Sequence, residues 1–310
     1  MKSVEHRESK TRQQQSELKG TYFVADKNKQ EELERLIIQD RMVTAAMGGV
    51  LAEQSEPASL QLVLDVGCGS GGWALEAARL YPSLSLVGVD ISPLMIEYAN
   101  AQAQEQQLSD RVKFLVMDAL VMLEFPTAHF DLVNLRFGSS FLRTWDWPKL
   151  INEMLRITRP NGVVRITDSM IGNENTSEAL QRFFKILIHV GYQTGHSYAE
   201  DPAGMTNHLE RLMRLHGCLN IQTKEHTVEY EAGTPEMELY IADTTRVIQT
   251  IRPFIQKFGD KSDYDELDAI RKQALVEMQQ PGFHATWKLL TAWGRRPQKI
   301  PGIDGGALRR

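Results

Sequence analysis

The sequence predicts an α/β fold: a doubly wound, mostly parallel seven-stranded sheet with helices on both faces and helical lid insertions. Three observations predict it. Short, nearly continuous apolar runs alternate with segments of helical spacing from residue 62 to about residue 167, the pattern of strands buried on both faces. Four glycines in six positions (Gly67, Gly69, Gly71, Gly72) follow the first apolar run directly. The second and third runs each end at an acid, Asp90 and Asp118, while the first carries Asp65 near its end.

The elements follow in order. Residues 1–20 hold charges of both signs, three consecutive glutamines and almost nothing to bury, so a mobile tail is expected. Residues 21–55 form a helical leader or lid: Leu33, Leu36, Ile37, Met42, Val43, Ala46 and Met47 recur at helical spacing over Glu31–Leu51, and Gly48-Gly49 ends the pattern. Residues 56–169 form the core. Its strands are expected at Leu62–Val66, Leu84–Val89, Val112–Met117, Phe130–Leu135 and Val163–Thr167, the last introduced by the turn Arg159-Pro160-Asn161-Gly162. Its helices are expected at Gly72–Leu80, Pro93–Gln107 and Trp147–Ile157. Residues 170–220 read as a helical lid insert, with helices over Ser177–Val190 and His208–Leu215. Residues 221–297 complete the sheet through strands Ile221–Tyr230 and Ala285–Gly294, with two helices between them, Pro235–Phe258 and Tyr264–Met278. Residues 298–310 are a Gly/Pro-rich basic tail.

Composition narrows the function. The chain has 310 residues, 42% hydrophobic and 24% charged, enough for a large core without disulfide or metal staples. Its 40 acidic and 35 basic side chains leave a net charge of -5, which disfavours an electrostatic grip on nucleic acid or an anionic membrane. Two cysteines, Cys68 and Cys218, cannot build a disulfide framework, and no histidine or cysteine spacing marks a metal site. No apolar run approaches the ~18 residues of a membrane span, and the polar N-terminus lacks the apolar centre of a signal peptide. The expectation is a soluble protein of a reducing, cytoplasmic compartment, monomer or homodimer.

The glycine cluster carries the chemistry. Glycines straight after a strand let the backbone turn sharply and approach a ligand without Cβ clashes. Gly67, Gly69 and Gly72 satisfy the G-x-G-x-x-G pattern, and Asp90 follows 23 residues after Gly67, which read alone predicts a dinucleotide site and an NAD-dependent oxidoreductase. Asp65 argues against it, because a pyrophosphate over this loop would meet its carboxylate. Carboxylates at successive strand ends suit instead a ligand with a cationic centre, a ribose diol, an exocyclic amine and no phosphate.

Asp65-Val-Gly-Cys-Gly-Ser-Gly71 resembles the first motif of class I S-adenosylmethionine (SAM)-dependent methyltransferases. Val87-Gly-Val-Asp90-Ile-Ser resembles their second, Met117-Asp118-Ala119 their third, and Phe130-Asp-Leu-Val-Asn134 their fourth. Leu155-Arg-Ile-Thr-Arg-Pro160-Asn-Gly162 is similar to the turn before their fifth strand, with Asn161 where glycine is commoner. Tyr22-Phe23, Glu34-Arg35-Leu36 with Gln39, Gly48-Gly49, Leu135-Arg136-Phe137 and the terminal Trp287…Trp293-Gly294-Arg295-Arg296-Pro297 look like a UbiE/LaeA-type subgroup of small-molecule methyltransferases and regulators. The resemblance implies SAM as cofactor. It implies that Gly67, Cys68 and Gly69 pass beneath the methionine portion, with its ammonium on Asp65. It also implies Asp90 on the ribose hydroxyls, Ile91 and Met95 against the adenine, and Asp118 with Ala119 at the adenine amine. Asn134 and Arg136 would face the methionine group or the acceptor, while Tyr22 and Gln39 would close the cofactor from above. Its regulator members leave open a LaeA-like protein that binds SAM and acts through partners.

Methyl transfer from a sulfonium is an in-line displacement that depends mainly on alignment and water exclusion. A base is needed where the acceptor must lose a proton, and His189, Tyr192 and His196 of the insert are the candidates. The run Trp145-Asp146-Trp147-Pro148 reads as a helix start packed on the sheet.

Overall fold

The computed structural model describes residues 30–172 and 174–300; the tail over 1–20, Tyr22 and residues 301–310 lie outside that range. Strand β1 (Leu62–Val66) is buried along most of its length and pairs in parallel with β2 (Ser85–Asp90) on one side and β4 (Phe130–Arg136) on the other. Beyond β2 lies β3 (Val112–Val116), and beyond β4 lies β5 (Thr158–Ser169), all parallel. Strand β8 (His284–Arg295) runs antiparallel to β5. Its opposite edge takes β7 (Leu219–Glu231), while β6 (Glu174–Asn175) continues along the edge that β5 uses. Among the described residues the sheet therefore has eight strands rather than seven, and the extra one is the two-residue β6.

Helices fill both faces. The first is α1 (Gln30–Ala46). Then come α2 (Gly72–Leu80), α3 (Pro93–Glu105) and α4 (Trp147–Ile157) between the parallel strands. α5 (Glu178–Gln193) and α6 (Leu209–Leu215) follow β6. α7 (Pro235–Thr250), α8 (Arg252–Phe258) and α9 (Lys261–Met278) separate β7 from β8. Trp147 is fully buried at the start of α4, as a helix start packed on the sheet requires, while Trp145 stays exposed beside Arg143.

Three differences from the sequence reading have local causes. A single helix over Pro235–Phe258 is broken at Ile251, because Pro253 lacks an N–H and restricts the residue before it. β5 begins at Thr158 rather than Val163. The Arg159–Gly162 segment bulges out of the ladder, with Asn161 left-handed at φ 62°, and pairing resumes at Leu132–Val163. The two helices after β6 part company: α5 packs with α1, α7, α8 and α9, whereas Leu209, Leu212 and Met213 of α6 join α4 under the sheet.

Strand order reverses between β1 and β4, the position where doubly wound sheets hold ligands beyond the carboxyl ends of their strands. The apolar cluster of α1, α5 and α7–α9 stands over those ends. Met42, Val43, Phe183, Leu187, Ile248, Phe254 and Ile255 are buried in it. Each such side chain contributes about 1.5–3 kcal/mol by leaving water, so the roof is a core of its own rather than a set of loose loops.

Candidate functional site

The loop after β1 is held open by its own backbone. Gly67, Gly69 and Gly71 take φ of 65°, 52° and 78°, a region costly for any residue with a Cβ. At Gly71 a Cβ would also stand 2.6 Å from the Phe114 ring. Asp90, at the carboxyl end of β2, ties this loop to the next helix. Its carboxylate accepts from the Gly69 N–H at 3.0 Å and from the Ser92 N–H at 2.8 Å.

Beneath the loop runs a buried polar chain. Asp65 and Asn134 sit opposite each other in the β1–β4 register, and the Asn134 amide donates to Asp65 Oδ1 at 2.7 Å. Asn134 Oδ1 accepts in turn from Arg165 Nη1 at 2.7 Å. Arg165 Nε reaches Glu53 Oε1 at 2.5 Å, and its Nη2 reaches Oε2 at 3.3 Å. Burial alone would raise Glu53, but the Arg165 charge and hydrogen bonds hold it below the usual carboxylate range. Asp65 fares differently. Burial pushes it up to about 6 in spite of Arg136, Asn134 and Arg165, and its Oδ2 is buried without a hydrogen-bond partner. An unsatisfied buried acceptor costs about 1–3 kcal/mol, so this oxygen is built for a donor that the protein does not supply.

Arg136, at the end of β4, reaches up to α1. Its Nη2 donates to Asp40 Oδ1 at 2.5 Å and its Nη1 to Thr44 Oγ1 at 3.4 Å, while Nε has no partner. Arg136 and Arg165 lie 5.9 and 6.0 Å from the Trp73 ring centre, and the Trp73 indole donates to the Val50 carbonyl. After β4 a short turn, Gly138–Ser140, is pinned by Asp168 of β5. Its carboxylate accepts from the Ser139 N–H at 2.8 Å, the Ser139 hydroxyl at 2.6 Å and the Ser169 N–H at 2.9 Å. Burial pushes Asp168 up to about 6 against those bonds.

Above these groups lies one cavity of about 910 Å³, near the top of the range for ligand pockets. Of the residues expected from sequence to hold a cofactor, Gln39, Gly67, Cys68, Gly69, Asp90, Ile91, Met95, Asp118, Ala119 and Arg136 all line it. The Asp118 carboxylate is fixed by the Leu120 N–H at 2.8 Å. Asp65 and Asn134 stand just below the wall, in the buried chain. The cavity continues past Arg136 into an apolar part under α1, α5 and α7, where Phe137 stacks on Trp287 at 5.9 Å.

The three candidate bases are placed elsewhere. On α5, Phe183, Leu187 and Val190 point inward, so His189 and Tyr192 fall on the opposite face. His189 meets Glu200 at 2.7 Å, which raises its pKa, and Tyr192 is exposed. His196 is buried against the edge of the Phe254 ring, with Nδ1 2.8 Å from the Thr194 hydroxyl. None of the three lines the cavity. Sequence reading missed Asp40, Glu53, Arg165 and Asp168. A charge at the centre of the apolar strand Val163-Val164-Arg165-Ile166 was the available signal for the buried network. It also missed Tyr230 and Asp243, for which no local pattern exists. Among the described residues no cluster of histidine, cysteine and carboxylate could hold a metal, and no helix is long and apolar enough to cross a membrane.

Residues 63–162 match the family described as "Methyltransferase domain". A probable tocopherol O-methyltransferase of Oryza sativa subsp. japonica is 33% identical over 141 residues, 45% of this chain and 38% of the relative. The 27-O-demethylrifamycin SV methyltransferase of Amycolatopsis mediterranei is 25% identical over 236 residues, 76% of this chain and 72% of the relative. The YcgJ protein of Bacillus subtilis superposes with a TM-score of 0.51 at 16% identity, covering 82% of this chain and 99% of that one, a likeness of fold. The chain thus spans less than half of the rice relative and nearly three quarters of the rifamycin one.

Proposed function

The chain carries a class I methyltransferase domain, and from that premise we propose that it transfers the methyl group of SAM to O, N or C of a small-molecule acceptor. One observation carries the reading: the partnerless Oδ2 of Asp65 lies beneath a glycine loop whose cavity also presents Asp90 and Asp118. An ammonium would satisfy Asp65, directly or through water. Asp90 would take the ribose hydroxyls, Asp118 the adenine amine, and Ile91 and Met95 the adenine faces. When bound, SAM supplies an electrophilic methyl group on a good leaving group.

The chain's own contribution is alignment and exclusion of water. α1 and the helices packed with it close the cavity from above, and Arg136 ties α1 to the end of β4 through Asp40. Asp168 fixes the Ser139 turn on the wall facing the glycine loop. No histidine lines the cavity among the described residues, which supports chemistry that relies on positioning more than on an imidazole base. A reducing cytoplasm and a monomer or homodimer belong to the same reading; the two buried cysteines are free thiols.

The alternatives lack comparable support. A pyrophosphate would lie over Asp65, and a protein that only binds SAM has no use for the apolar space beyond Arg136. The test is thermal shift. S-adenosylhomocysteine (SAH) at about 100 times its Kd stabilises by about 2.7 kcal/mol, a rise of several degrees, whereas NAD gives none. A rise with NAD and none with SAH overturns the proposal. Transfer of labelled methyl from SAM to a metabolite panel then separates an enzyme from a regulator.

A further inference from the structure

The end of the cavity farthest from the glycine loop is not plain apolar wall. Strand β7 is antiparallel to β8 and β8 to β5, so β7 runs with the parallel strands and delivers Tyr230 to the same carboxyl edge. It lies four strand positions from β1, about 19 Å at the usual strand spacing. Tyr230 is 1% exposed and lines the cavity, yet its hydroxyl has no hydrogen-bond partner. Buried tyrosine hydroxyls almost always find one. Its ring packs on Tyr240 at 4.6 Å, which fixes where the hydroxyl sits. Burial, then the nearby Asp243 carboxylate, raises its pKa, so the group stays a neutral phenol able to donate.

The surrounding arginines are each matched by an acid. Arg35 binds Glu32 in a fork of 2.7 and 2.8 Å and reaches Asp243 at 3.2 Å, while Arg246 pairs with Glu34 at 3.1 Å. Two arginines against three acids leave no surplus positive charge to attract a phosphate or a carboxylate. Between this end and the glycine loop the walls are Met42, Phe137, Phe184, Leu187, Ile251 and Trp287.

We propose that the Tyr230 hydroxyl, near Asp243, is a hydrogen-bonding subsite for a neutral oxygen function, a hydroxyl or carbonyl, at the remote end of an elongated and otherwise apolar methyl acceptor. The proposal rests on the methyltransferase reading and names its substrate class. The remote oxygen replaces the partner that Tyr230 lacks, and the apolar skeleton fills the space between it and the reacting end.

Y230F removes the hydroxyl and keeps the ring. The test measures tryptophan fluorescence of the SAH-loaded full chain on titration with three probes of one skeleton: androsterone, with oxygens at both ends; 5α-androstane, with none; and androsterone sulfate, with an anionic end. The expected result is that androsterone binds most tightly, that Y230F weakens it about tenfold, and that androstane binding and SAH affinity do not change. Equal androsterone affinity in both proteins, tighter binding of the sulfate, or binding of none of the three overturns the subsite while leaving the methyltransferase reading intact. Failure of SAH to bind the parent chain is a separate outcome that removes both.

Discussion

On the proposed reading, Asp65 makes cofactor binding sensitive to pH. Its carboxyl is raised by burial from 3.8 to about 6, and one of its oxygens is buried without a partner, two residues before the first glycine of the loop where the proposed ammonium would lie. In the free protein this works against folding: the folded state holds a proton that the unfolded chain releases, so the ionised form's cost appears as pH rises from about 4 to about 6. A bound ammonium reverses the preference, because it pairs only with the carboxylate. Binding must therefore remove the proton wherever the free site is protonated. With a pKa of about 6, the ionised fraction falls from about nine tenths at pH 7 to about one tenth at pH 5, so affinity drops about tenfold, or about 1.4 kcal/mol. Calorimetric titration with SAH, which carries the ammonium but no sulfonium, measures this directly. Asp168 titrates in the same range, so the control is Asp65→Asn, which should bind about tenfold more weakly at pH 7 and show a nearly flat profile. An affinity constant within threefold from pH 7 to pH 5, or an undiminished slope in Asp65→Asn, would refute the pairing.

Other expectations test the neighbouring parts. Asp90→Ala should weaken SAH binding by about 1–3 kcal/mol through lost charge-assisted hydrogen bonds, read by the same calorimetry; unchanged affinity removes Asp90 from the site. Gly71→Ala must place a Cβ on the Phe114 ring in a left-handed backbone, and should lower stability by about 2–4 kcal/mol in urea melts. A loss under 1 kcal/mol would show that the loop relaxes freely. Arg165→Met strands the buried Glu53 carboxylate and strips Asn134 of its donor, for a loss of about 3–5 kcal/mol; the pair Arg165→Met with Glu53→Leu should recover much of it. No recovery in the double variant would mean that the ion pair is not what the single change breaks.

What is legible in the sequence, and what is not, divides along the cavity itself. The half of the cavity proposed for the cofactor is lined by residues that follow strand ends within one stretch of chain: Gly67 to Gly69 after β1, Asp90 and Ile91 at the end of β2, Asp118 and Ala119 after β3, Arg136 ending β4. An acid or a glycine at the end of an apolar run is a local pattern, so the order of residues along the chain is enough to name these positions. Asp65 is legible for the same reason, as a charge inside a strand, but its missing partner is not, since that depends on what Asn134 and Arg165 do from β4 and β5. His189 and Tyr192 show the opposite failure. Residue type nominates them, and the helical phase set by Phe183, Leu187 and Val190 turns them away. The half proposed for the acceptor is assembled from α1, the turn after β4, α5, β7, α7 and β8, so Phe137, Phe184, Tyr230, Asp243 and Trp287 share a wall without sharing any local pattern. Pro253 illustrates the same limit, because the break it makes between α7 and α8 leaves Ile251 on that wall. The methyltransferase family match stops at residue 162, before every acceptor-end residue of the inserts and the last strands. On the proposed reading the matched core holds the methyl donor, while much of the wall around the acceptor lies outside the match, including Tyr230 with its buried, partnerless hydroxyl.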